Sequence, residues 1–324
     1  MKNRKKTIVI SLVLCVLVVG ALLLRADFKM HSRQIFAMDT YCTLEIKGGG
    51  EKVLDELEKI ITDYDEKYNA YGDNSAVFSL NKNGKSSDKE IVELSEKLLE
   101  YTKKTDGAYD FSLKKLSDLW GFSKKSVTEP KNIDFSSFGA DKVEINGNEL
   151  VLNGVEVDFG GVMKGYVTDK LCEKLKETNI TDAILNLGGN VLSVGEHKIG
   201  IQDPKDKNEI MCSVSVCNKA VVTSGVYQRT FPDNNGVMRH HILNPETGYP
   251  AESGVVSVTV VGNTATECDV LSTAFLVLGK EKTKEIMRNF DVEIIMLTDD
   301  GRLYCTEGIK VSTETFGDYV MEVL

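Results

Sequence analysis

Positive charge is scarce in this sequence: 39 lysines and arginines stand against 49 acidic residues, leaving a net charge of -10 over 324 residues. A nucleic-acid face needs clustered cations to displace counterions, so that class of partner is excluded. The seven cysteines form no C-x-x-C pair and no zinc spacing, which argues against a metal–thiolate centre. Cys212 and Cys217 fall on opposite faces of a β-rich run, too far apart to bridge within a straight strand. Neither a P-loop nor a dinucleotide G-x-G-x-x-G spacing is present. No repeat, low-complexity segment or long linker divides residues 30–324. With 42% hydrophobic and 27% charged residues, the chain has the composition of a folded protein with a proper core.

What is present begins with Met1-Lys2-Asn3-Arg4-Lys5-Lys6 and an uncharged run from Thr7 to Leu24, closed by Arg25. That run, about eighteen residues, reads as an uncleaved signal anchor over residues 1–29, with the basic end cytoplasmic and residues 30–324 extracytoplasmic at the cell membrane. Leu14 is too large for the position before a lipidated Cys15, and no A-x-A-like cleavage site follows.

Beyond it, Arg33–Ile46 reads as a strand interrupted at Met38-Asp39-Thr40. Val53, Leu54, Leu57, Ile60, Ile61, Tyr64 and Tyr68 recur at helical spacing, and Ile91, Leu94 and Leu98 mark a second helix ending near Gly107. Val143–Leu152 alternates around Asn146-Gly147, a hairpin signal. Strands are expected at 183–187, 198–202, 211–217, 220–223, 255–261, 292–297 and 302–306, with helices at 267–278 and 280–289. Hairpin-like runs with inserted helices give an α+β fold: one mixed domain, antiparallel-rich.

Three stretches carry chemistry. In Val157-Asp158-Phe159-Gly160-Gly161-Val162-Met163-Lys164-Gly165 a β-type run ends in an acid, passes two glycines and enters a helix. It suits a phosphate approaching a helix N-terminus with Lys164 nearby, and equally a plain tight turn. Asp269 and Thr273 lie four apart at the start of a helix and share a face. They suit a hard cation such as Mg²⁺, or Asp269 merely caps the helix. His240-His241 precede the turn-forming Asn244-Pro245-Glu246-Thr247-Gly248, where a histidine can serve as a base or simply face solvent.

Taken together, these stretches resemble the ApbE family of flavin transferases, which move FMN from FAD onto a hydroxyl of another protein. The resemblance runs from about Ile35 to the C-terminus. Its motifs stand in the family's order: Met38-Asp39-Thr40; Tyr71 with Ser75 and Asn81; Gly107-Ala108-Tyr109-Asp110 before Leu119-Trp120-Gly121-Phe122; Asp158 to Gly165; Leu187-Gly188-Gly189-Asn190; Thr223-Ser224-Gly225; His241 with Pro245 and Thr247-Gly248; and Asp269 with Thr273.

That resemblance implies an ApbE-like (T-fold-like) architecture and a flavin site from Met38, Tyr71, Ala108, Tyr109, Asp110, Asp158, Lys164 and Ile242. It implies Mg²⁺ held by Asp269, Thr273 and the Gly161 backbone, with Ser272 a weaker ligand, and FAD as substrate. His241 is the expected base. The implied acceptors are threonine or serine residues in flavin-carrying domains of membrane redox complexes or secreted reductases. Two rival readings stand beside it: an FAD pyrophosphatase releasing FMN and AMP, which the same metal site would serve, and a non-catalytic extracytoplasmic FAD-binding protein, for which the aromatic residues would matter and Asp269 and Thr273 would not. The sequence departs from the family's common pattern at Lys114-Lys115, where Gly-Pro is frequent, at Asn244, where Asp is, and at Cys268, where a small residue is.

Overall fold

The computed structural model describes residues 29–124 and 126–324. The basic and apolar N-terminal run with Cys15, and hence the expected anchor, lies outside the described residues, among which no helix is long and apolar enough to cross a membrane.

Nine strands form one sheet whose spatial order is also the chain order: Met30–Ala37, Thr40–Lys47, Ala183–Leu187, Asn190–Val194, Ala220–Gly225, Val255–Gly262, Glu293–Thr298, Leu303–Cys305 and Met321–Val323. Seven of the eight pairings are antiparallel and the last is parallel. The interruption expected at Met38-Asp39-Thr40 is a chain reversal. Met38 and Asp39 take φ of 51° and 58°, the left-handed pair of a two-residue hairpin turn, and Ala37 faces Thr40 across it.

Side-chain alternation sorts the core into two layers. Along Ala220–Gly225, Ala220 and Val222 join Leu185, Val258 and Val260 in the large core beneath the helices. Val221, with Val261, Ile295 and Leu297, meets the other way Ile199, Ile201, Met211, Cys212 and Val214. These last belong to a three-stranded sheet of Glu196–Gln202, Ile210–Cys217 and Thr313–Thr315. Cys212 is buried and Cys217 exposed, as the strand period requires.

On the helical side, Gly50–Tyr68 buries Val53, Leu54, Leu57, Ile61 and Tyr68, the apolar spacing seen in the sequence. Ser75 caps Ala76–Asn83 by accepting the Phe78 N–H (2.9 Å), and Asp88 caps Lys89–Lys104 through the Glu90 and Ile91 N–H groups. The two helices expected at 267–278 and 280–289 are the run Ala265–Ile286, broken at Gly279 (φ 77°, ψ 175°).

Two helices set up the site. Gly160–Glu177 packs on Ala265–Ile286 so closely at Gly165 that a Cβ there would lie 2.4 Å from the Ala265 carbonyl oxygen. Asp169 of the first helix accepts the Ala265 and Thr266 N–H groups (2.7 and 2.9 Å), so the second helix is capped by its neighbour.

Candidate active site

The N-terminal turn of Gly160–Glu177, the end of the Ala220–Gly225 strand and the loop at His241 converge on a cavity of about 260 Å³. Of the residues singled out from the sequence, Tyr71, Ala108, Tyr109, Asp110, Asp158, Gly161, Lys164, His241, Ile242, Asp269 and Thr273 line it. They come from positions up to about two hundred residues apart, gathered by the fold alone.

Asp269 is 4% exposed, and its Oδ2 accepts the Gly165 N–H at 2.8 Å. Burial pushes this carboxyl above its ordinary range, with the Lys164 charge and the Gly165 N–H opposing. Lys164 reaches the Gly188 carbonyl (3.4 Å) and Asn190 Oδ1 (3.3 Å), both neutral, so the Leu187–Asn190 motif holds this lysine without cancelling its charge.

Asn81 explains another motif residue. Its side chain accepts the Val157 N–H and donates to the Val157 carbonyl, both at 2.8 Å, fixing the backbone just before Asp158. Asp158 Oδ1 then accepts the Gly160 N–H (2.8 Å), and burial pushes its carboxyl up. Asp110 ties its own loop: Oδ1 accepts from Ser112 and Oδ2 from the Ala140 N–H, with burial again raising its carboxyl.

His241 is half-buried against the cavity wall, with Nδ1 buried and unpartnered. Desolvation first, then the Arg229 and Lys164 charges, push its imidazole down to about 3, so the ring is neutral at physiological pH. A neutral ring can accept a proton.

Ser272 is fully buried behind the cavity; its hydroxyl pairs with Ser224 Oγ (2.8 Å) and donates to the Asp269 carbonyl (3.0 Å). Met38 sits in the hairpin turn, is not among the lining residues, and donates its N–H to Asp65 (3.0 Å). Tyr71 is 45% exposed and donates its hydroxyl to Asp118 (3.0 Å), whereas Trp120 is fully buried and donates to the Gly248 carbonyl (2.8 Å), bracing the loop behind His241. The aromatic stretch thus divides: Tyr71 and Tyr109 face the cavity, and Trp120 packs a small core with Phe122, Leu116 and Phe138.

The three departures from the family pattern have local reasons. Lys114 lines the cavity wall beneath Tyr71, its ammonium 4.9 Å from the ring centroid and paired with Asp118 (2.8 Å) and Glu156 (2.9 Å). Asn244 closes the same kind of turn an aspartate would, its Oδ1 accepting the Glu246 N–H at 2.9 Å. Cys268 sits over Gly262, where a Cβ would come within 2.8 Å of its sulfur.

Sequence reasoning missed Gln228, Arg229 and Phe231, which also line the cavity, and named Lys114 and Thr223 without giving them a place in it. Thr223 stood inside a recognised motif, and Arg229 follows that motif by one turn of chain. Nothing in spacing alone marks either as facing a ligand.

An α+β domain with cations, desolvated carboxylates and a glycine-rich helix N-terminus around one cavity is built to bind a phosphorylated ligand. The chain belongs to the ApbE family, whose model matches residues 38–296. It is 30% identical to the FAD:protein FMN transferase of Treponema pallidum, covering 93% of each chain. It is 29% identical to the protein of that name from Escherichia coli strain K12, covering 86% of this chain and 88% of that one. Its fold superposes on the crystal structure of an ApbE protein from Thermotoga maritima with a TM-score of 0.81 at 26% identity, over 88% of this chain and 99% of the other.

Proposed function

We propose that this protein is an FAD:protein FMN transferase that works with Mg²⁺. The observation that carries the reading is the convergence of Asp269, Thr273, Lys164 and His241 on one cavity, in a chain matching transferases of that name over almost its whole length.

The residues present fit the metal. Asp269 is a desolvated carboxylate, and the Thr273 hydroxyl and Gly161 backbone stand on the same cavity. Such an all-oxygen set suits a hard cation, and it explains why no group of three His, Cys, Asp or Glu residues among the described ones is arranged to hold a metal. Mg²⁺, when bound, neutralises charge on phosphate oxygens. Ser272 would support this set from behind, through Ser224 and the Asp269 carbonyl.

In the reaction, the oxygen of an acceptor serine or threonine attacks the phosphorus that bears FMN. The new P–O bond forms as the bond to the AMP phosphate breaks, AMP leaves, and the hydroxyl proton passes to neutral His241. Lys164 offsets charge gathering on the phosphates. Tyr71, partly exposed at the cavity wall, offers a ring face to the flavin or adenine, and Ala108, Tyr109 and Ile242 supply apolar wall. The acceptors are flavin-carrying domains of membrane redox complexes or secreted proteins. The Thr7–Leu24 run, with four basic residues before it, supports anchoring in the cell membrane with the catalytic domain outside; protease digestion of intact cells tests that placement.

The deciding experiment incubates the protein with FAD, Mg²⁺ and a flavin-carrying acceptor domain and follows proteins and nucleotides by mass spectrometry. Gain of one FMN on a serine or threonine, with AMP released, is expected. Free FMN and AMP whether or not acceptor is present would make it a pyrophosphatase, and intact bound FAD would make it a binding protein.

A further inference from the structure

We propose that Arg229 is a further substrate-binding residue, whose guanidinium takes the diphosphate of the dinucleotide together with Lys164, with Asp39 at the hairpin tip as its tether. The inference rests on the transferase reading for the identity of the dinucleotide.

The choice of Arg229 follows from what the cavity's cations are already doing. Lys114 is 10% exposed and bound to two carboxylates, Asp118 and Glu156, so its charge is spent locally. Among the described residues Lys164 hydrogen-bonds only to neutral oxygens. Arg229 engages one carboxylate, Asp39, through Nη2 alone at 3.2 Å, and that ion pair is solvent-exposed on both sides (54% and 64%). An exposed pair of that kind contributes little and is readily exchanged for a better anion. A guanidinium, with its planar fork of donors, binds two phosphate oxygens at once.

The backbone adds an independent observation. Arg229 has φ 46°, and among the described non-glycine residues with positive φ it stands with Met38 and Asp39 of the hairpin turn and with Asp106, Asn179 and Asn218. Asparagine and aspartate adopt that conformation readily; arginine has no side-chain means of doing so, and such outliers gather at ligand sites. Here the twist ends the turn that begins at Gly225 and leads into the Thr230–Pro232 strand, and both Arg229 and Phe231 line the cavity.

Both available cations, Lys164 and Arg229, line the cavity and stand close enough to His241 for their charges to bear on it. Lys164 also bears on Asp269, and Arg229, after Lys114, on Asp158. A diphosphate held beside His241 would therefore lie near both cations.

The test is equilibrium binding of FAD, ADP and riboflavin to the full-length protein, wild type, R229M and R229K, with ADP and riboflavin measured by competition against FAD. R229M is expected to weaken FAD and ADP by about tenfold or more and riboflavin by less than about twofold, with R229K in between because it keeps the charge and loses the fork. Equal loss of riboflavin and ADP would mean a structural role and overturn the proposal. So would wild-type affinity for ADP in R229M, or failure of ADP to compete with FAD on the wild type. Wild-type protein that binds FAD but transfers no FMN to acceptor overturns the transferase reading alone, and the ADP contrast still decides Arg229.

Discussion

Replacing Gly165 with alanine separates the packing of the two site helices from ordinary helix propensity. In an unconstrained helix the change would stabilise by about 0.5–1 kcal/mol, since glycine has more conformational freedom to lose. Here the new Cβ would lie 2.4 Å from the Ala265 carbonyl oxygen, 2.8 Å from its carbon and 2.7 Å from Asp269 Cβ. Carbon atoms rest at about 3.5–4.0 Å, so the helices must part by roughly 1 Å, and overpacking of that kind costs about 1–3 kcal/mol. The net expectation is a loss of up to about 2.5 kcal/mol, or a fall in Tm of up to about 10 °C, followed by circular dichroism. The same movement shifts Asp269 and stretches its bond from the Gly165 N–H, and a displacement of about 1 Å at a reacting centre can cost on the order of a hundredfold in rate. FMN transfer, assayed well below Tm, should therefore fall far more than stability does. Gly161 is the control in the same helix: its Cβ would meet nothing nearer than Tyr109 Cε2 at 4.0 Å, so G161A should hold or raise Tm. A G165A protein with wild-type Tm and transfer within about twofold of wild type would refute the close-packing argument.

N81A removes both partners of the buried Val157 peptide groups and should cost about 1–3 kcal/mol, read as a lower urea midpoint with weaker FAD binding; an unchanged midpoint would show that the clamp is dispensable. H241A should retain FAD and lose about 10²–10⁴-fold in transfer, and full activity would remove His241 from the role of base. Because the folded His241 is depressed to about 3 from an ordinary 6.5, the unfolded chain binds more protons between those values. Its contribution to stability is complete above about pH 6.5 and is lost as pH falls toward 3, with a slope of at most about 1.4 kcal/mol per pH unit, and H241Q should flatten that part of the profile relative to wild type. Chelation with EDTA should stop transfer in the wild type and added Mg²⁺ restore it, whereas D269N should stay inactive in both; transfer persisting in EDTA would overturn the metal assignment.

How far the sequence could be read differs from element to element, for physical reasons. Helices with a single buried face, such as Gly50–Tyr68, announce themselves because burial repeats with the helix period. The Met38-Asp39-Thr40 stretch was visible as an irregularity but not as a reversal, since neither residue is glycine and the left-handed pair is held by the strands on either side. The motif residues were identifiable by order, yet their division of labour was not. Tyr71 and Asp158 face the cavity; Ser75 caps a helix and Asn81 clamps a peptide behind it. Serine and asparagine serve ligand and backbone with the same atoms, so only the position of the partner tells the two apart.

The contacts that build the site join residues about a hundred positions apart, and these leave no local signal. Asp169 caps a helix that begins at Ala265, and Gly165 admits the backbone of that helix. One helix therefore supplies both the cap and the gap that set the other's position, and with it the position of Asp269. In the sequence, Gly165 could equally have been the last glycine of a phosphate-binding turn. Its N–H to Asp269 and its closeness to Ala265 assign it to helix packing. Gly160 and Gly161 instead line the cavity, where a Cβ on Gly161 would meet nothing nearer than 4.0 Å and one on Gly160 would lie 3.0 Å from Asp158 Oδ1, so three glycines within six residues sit in two different surroundings.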